Sequence, residues 1–173
     1  MTFSLHAATV PPMLQVLGSV TELVRKAEAY CTEQGVPERD IIAARLAPDM
    51  LPFTYQVKST AEHSLGAILA VREGFATPSL DAPPKTFAGL LDKLDAAQRG
   101  LAALTVDEVD AFVGKDVVFE FKGVRREFTA ENFLISYAMP NFYFHAVTSY
   151  DLLRARGLAI GKKDFMGRLH TKG

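Results

Sequence analysis

Residues 129–157 constrain the fold most. Thr129 is a good helix N-cap, because its hydroxyl can satisfy a free backbone N–H, and Gly157 is a good residue to follow a helix end. Between them, apolar and aromatic side chains recur on nearly every turn. At about 100° per residue, Ile135, Met139, Phe142, Ala146 and Leu153 define one face of this helix. Phe133, Phe144 and Val147 define another, and Tyr137, Asn141, His145, Thr148 and Leu152 a third. A helix apolar nearly all round is buried nearly all round, within its own domain or in a partner interface. This segment is therefore expected at the centre of the fold. Pro140 removes one backbone hydrogen bond and is expected to bend the helix just before Asn141. That frees a carbonyl near Ser136 and makes room for water or a ligand.

Three further helices follow from the same periodicity. The first runs from about Thr9 to Gln34, with Met13, Leu14, Leu17, Val20, Val24, Ala27 and Cys31 on one stripe. Pro11 and Pro12 suit an early turn; a start nearer Ser4 would make them interior. A short connecting helix fits within residues 37–46. The second long helix spans about Asp49 to Val71 and ends before Gly74. The third spans about Phe87 to Leu104, with Thr86 as N-cap and Leu90, Leu91, Leu94, Leu101 and Leu104 inward. Residues 116–128 hold two β-prone runs meeting at Lys122-Gly123, a hairpin carried on the crossover between helices three and four. The expected architecture is all-α: one domain over residues 1–173, a four-helix bundle with a long crossover, a small β-hairpin and a partly ordered tail from about 158.

Composition narrows the function classes. With 173 residues, 49% hydrophobic and 23% charged, the chain is long enough for one well-buried core. Its 19 basic and 20 acidic residues leave a net charge of −1, which gives no footprint for nucleic acid or an acidic membrane. No apolar run approaches the roughly 20 residues of a membrane span. One cysteine, Cys31, rules out an internal disulfide and a Cys-rich zinc site. The start MTFSLHAATVPPM lacks a basic region followed by a long apolar core, so a cytoplasmic location is expected. The sequence contains no nucleophile triad and no glycine-rich phosphate loop.

The candidate site residues are polar groups on otherwise apolar stripes. Asn141 and His145 lie one turn apart on helix four. On helix two, Asp49, Gln56 and His63 follow at intervals of seven and so share one face. At 1.5 Å rise per residue the three are spread over roughly 20 Å, so at most one or two can meet the Asn141–His145 pair. Gln56 is the first choice; His63 reads as a partly exposed helix residue. Asp49 also suits a helix start, where it would meet the dipole favourably or pair with Arg45. The bland alternative for Asn141 and His145 is a hydrogen-bonded pair that fixes helix packing. Cys31, on an apolar stripe, reads as inert core.

Three segments, RLAPDMLPFTYQ (45–56), MPNFYFHAVTSYDLLRARG (139–157) and GKKDFMG (161–167), resemble an uncharacterised family of small bacterial proteins within the DinB/YfiT-like superfamily. The resemblance covers nearly the whole chain. It implies a four-helix bundle with a long crossover, commonly a homodimer. Better-known members of the superfamily hold a divalent metal with three histidines, one from the second helix and an HxxxH pair from a later one. Some use it to activate a low-molecular-weight thiol. Here the pair is Asn141-Phe-Tyr-Phe-His145, and an amide carbonyl is a far poorer ligand than imidazole for zinc or nickel. His145 is the one metal-ligand candidate, and a divalent metal is disfavoured. The leading expectation is an uncharacterised DinB-like bundle with an altered, metal-free polar pocket formed by Asp49, Gln56, Asn141 and His145. The alternatives are a metal-dependent, thiol-linked transferase or isomerase, and a metal-free binder of a small polar ligand.

Overall fold

A computed structural model describes residues 4–172. The chain is mostly helical, with a small three-stranded sheet. Helix α1, Leu5–Gln34, begins earlier than the sequence suggests because Ser4 caps it, accepting the Ala7 N–H at 3.1 Å. It continues through Pro11 and Pro12 and closes at Gly35, whose left-handed backbone lets its N–H reach the Cys31 carbonyl. Asp110 Oδ1 accepts from both Ser4 Oγ and the His6 N–H at 2.9 Å, which ties the start of α1 to the end of a later short helix.

Helix α2, Glu38–Ile42, is the expected short connection. Helix α3, Phe53–Ala61, starts after Pro52 rather than near Pro48 and continues into a π-helical turn, Glu62–Gly66, then α4, Ala67–Glu73. Strand β1, Phe75–Ala76, was not expected; it pairs in parallel with the middle strand of the sheet. Helix α5, Phe87–Ala102, is capped by Thr86, whose hydroxyl accepts the Gly89 N–H. After α6, Val106–Asp110, come β2, Asp116–Phe121, and β3, Val124–Thr129, paired antiparallel from Asp116↔Thr129 to Phe121↔Val124. Lys122 and Gly123 both have positive φ, 48° and 79°, as a two-residue primed hairpin turn requires.

Thr129 then caps the last long helical run, accepting the Asn132 N–H. This run comprises α7, Ala130–Asn132, a second π-helical turn, Phe133–Ala138, and α8, Met139–Ala155. Pro140 stands just after that turn. In an α-helix its missing N–H would have bonded the Ser136 carbonyl, and a wider turn at this point relieves the mismatch. Helix α9, Lys162–Met166, lies back on α1. The α3 segment packs on α8 and α5, and α1 packs on α5, α8 and α9, around a core that includes Met13, Leu17, Phe53, Ile68, Leu94 and Phe142.

The expectation for helix four needs correction. Met139, Phe142, Ala146 and Leu153 are buried as the wheel requires, but Ile135 from the same face is 45% exposed. Conversely, Phe133 is buried while Phe144 and Val147, assigned to its face, are exposed. Phe133 and Ile135 lie within the π turn, whose wider winding puts them out of phase with α8. The helix is thus central on one side and open along Pro140, Tyr143, Phe144 and Val147 on the other. No described helix is long and apolar enough to cross a membrane.

Candidate functional site

The α3 and α8 helices meet at an amide and an imidazole. Gln56, 2% exposed, donates its side-chain N–H to the Leu51 carbonyl at 2.8 Å. That bond fixes which end of the amide is nitrogen, so Gln56 Oε1 faces His145 Nδ1 at 2.7 Å. An amide oxygen only accepts, and Nδ1 must therefore carry the proton. In the neutral ring, Nε2 of His145 is left with its lone pair. The carbonyl of the same histidine accepts from Ser149 Oγ at 2.9 Å.

His63 completes the cluster. Its ring lies 5.5 Å from that of His145 at an interplanar angle of 11°, with Tyr137 edge-on to His63 at 5.9 Å and Tyr55 edge-on to His145 at 6.0 Å. His63 stands in the first π turn and Tyr137 in the second. π turns are rare and occur often at functional sites, and here two of them line one cavity. Burial pushes the His63 imidazole down to about 4. Burial, with the neighbouring His63 charge as a smaller cause, does the same to His145. Both rings are neutral at pH 7. Burial also raises the Tyr137 phenol.

Beside His63 lies a cavity of about 170 Å³. Tyr55, His63, Phe119, Phe133 and Tyr137 supply ring walls, and Gly66, Ala67, Ala70 and Ala76 supply small ones. Ser59, Glu62 and the segment Thr77–Pro78–Ser79 supply the rest. Lys58, 1% exposed, holds that segment down: its ammonium donates to the Asp81 carbonyl at 2.7 Å and the Ser79 carbonyl at 3.3 Å. A buried ammonium needs such partners. Glu62 Oε1, 3.5 Å from Lys58 Nζ and 3.4 Å from Lys93 Nζ, balances it. Thr54 Oγ1 donates to the Pro84 carbonyl further along the same loop.

Two of the four residues singled out from the sequence come together: Gln56 and His145. Asn141 instead donates to the Tyr137 carbonyl of its own helix at 2.7 Å. Asp49 is exposed in the turn before α3, and among the described residues no ion pair joins it to Arg45, which bonds the Met50 carbonyl. His63 was missed as a site residue. The axial spread of Gln56 and His63 led to a choice between them, yet His145 touches both. The signal available was the polar triplet itself, a histidine on the stripe of Gln56.

A three-histidine metal centre does not fit these residues. The Gln56 carbonyl is engaged by His145 Nδ1, which leaves two imidazoles. Among the described residues no group of three or more His, Cys, Asp or Glu side chains stands close enough to hold an ion.

The arrangement of helices is that of a DinB-like protein. A crystal structure of a DinB family member from Shewanella denitrificans is similar to this chain with a TM-score of 0.82 and 26% identity, covering 98% of this chain and 95% of that one. The chain belongs to the family described as domain of unknown function DUF1993, which matches residues 5–166. No curated protein matches it.

Proposed function

We propose that this DinB-like four-helix bundle is a metal-free binder of a small ligand, and that its site is the cavity between the two π turns. The observation that carries this reading is the neutral His63–His145 stack, locked by Gln56 at the edge of a ring-lined cavity. A structural pair alone would need Gln56 and His145. It would not need a second, largely desolvated imidazole stacked on the first. Ligand sites in bundles lie between facing helices, mostly apolar with a few placed polar groups. A fragment screen followed by protein NMR tests it. Shifts are expected to cluster on Tyr55, His63, Phe119 and Tyr137, and to be lost in Ala70→Leu, which narrows the cavity. A screen with no cluster there would overturn the reading.

We also propose that the chain forms a homodimer through the outer face of α8. Phe144 is 55% exposed, and Pro140, Tyr143 and Val147 continue the same stripe. Asp151 and Arg154, exposed at its end, are charges of opposite sign that a twofold interface can pair reciprocally.

A further inference from the structure

Resting on the reading of the cavity as a ligand site, the ligand's chemical class follows from the size, charge and ring content of the walls. A volume of about 170 Å³, in a pocket that opens to solvent on one side, is of the order of an engineered cavity of about 150 Å³ that takes up benzene. One six-membered ring with a small substituent fills such a space. Five of the wall residues are rings, which favour edge and offset-stacked contacts with another ring.

The wall's carboxylate is engaged before any ligand arrives. The carboxylate on the wall is Glu62, and it is met by the ammonium groups of Lys58 and Lys93. Facing His63 from the other elements are His145 and Tyr137, with Tyr55 on the same cavity wall and the Arg126 guanidinium acting on Tyr137 from β3. No carboxylate stabilises an imidazolium there, and desolvation holds His63 neutral. The desolvation that disfavours charge on this imidazole also penalises a charged ligand. A neutral imidazole also offers one nitrogen lone pair to a hydroxyl.

We propose that the cavity binds an uncharged, single-ring molecule bearing a hydroxyl, which donates a hydrogen bond to the unprotonated ring nitrogen of His63.

Four probes of similar size separate the possibilities: phenol, toluene, benzoate and benzylamine, each titrated into the full chain at pH 7 and followed by imidazole ¹⁵N and amide shifts. Phenol is expected to bind most tightly, about tenfold better than toluene, the worth of one buried hydrogen bond. Benzoate and benzylamine are expected to bind more weakly than either. Phenol should also shift the unprotonated nitrogen of His63 in the wild-type chain. In His63→Phe, which keeps the ring, phenol's advantage over toluene should vanish. Equal binding of phenol and toluene, or tighter binding of a charged probe, would overturn the assignment of ligand class and leave the cavity reading intact. An unmoved His63 nitrogen would do the same without relying on the variant to fold. If all four probes fail while the fragment screen succeeds, this inference falls alone. If both fail, the cavity reading falls with it.

Discussion

At the scale of residues, the protonation of His63 and His145 sets the pH dependence of stability. Each has a folded-state value near 4 against an ordinary 6.5. Between those values the unfolded chain binds more protons than the folded one, so stability is complete above pH 6.5 and is lost as pH falls towards 4. At about 1.4 kcal/mol per unit the ceiling is about 3 kcal/mol for each ring. Solvent screening of these half-buried groups lowers that to roughly 1–2 kcal/mol. Urea unfolding at pH 7 and pH 5 is expected to register the loss, and His63→Phe should flatten part of the slope. A midpoint independent of pH across this window would contradict the neutral pair. Gln56 and His145 were legible in the sequence because each is a polar group on an apolar stripe, which buried packing must answer with a partner. The role of His63 was not legible, since its contact with His145 depends on how two helices align in depth.

At the scale of elements, the π turns explain both the site and the limits of helical-wheel reasoning. Thr86, Thr129 and the Lys122-Gly123 turn were readable because capping and hairpin chemistry is local. The faces of the last helix were not, because one wide turn at Phe133–Ala138 separates Ile135 from Met139 in phase. Only Pro140 hints at it. The loop after β1 shows a second kind of long-range dependence, for it is held by the buried ammonium of Lys58 rather than by its own turn chemistry. Lys58→Met should cost about 2 kcal/mol, because the Ser79 and Asp81 carbonyls lose their partner. Amide exchange across residues 77–84 is expected to rise well beyond that of α5. Uniform exchange in the variant would show that the loop is held by other means.

The tail motif GKKDFMG also becomes intelligible at this scale. The Gly161 N–H donates to Asp164 Oδ2 at 2.7 Å, Asp164 pairs with Lys26, and Gln15 donates to the Met166 carbonyl at 2.7 Å. Gly167 sits at φ 60°, ψ −146°, and a Cβ there would overlap Ser19 Oγ. Gly167→Ala is therefore expected to loosen α9 from α1 and cost about 1–3 kcal/mol, read as a lower melting temperature.

At the scale of the whole molecule, the helices and hairpin follow from periodicity and punctuation, whereas β1 does not, since two residues give no pattern to read. The apolar outer stripe of α8 bears on assembly. Light scattering at micromolar concentration is expected to give twice the 18.9 kDa of the chain, and Phe144→Glu should return it to the monomer. A wild-type monomer would remove the dimer without touching the site.

Everything proposed for the cavity depends on His63 and His145 forming a neutral pair with a fixed tautomer beside it. Long-range ¹H–¹⁵N correlation of the imidazoles across pH 4–8 tests it most directly. Both rings are expected to be neutral at pH 7 and to titrate near 4, with the proton of His145 on Nδ1 and this preference lost in Gln56→Leu. Ordinary titration near 6.5, or a His145 proton resident on Nε2, would contradict it.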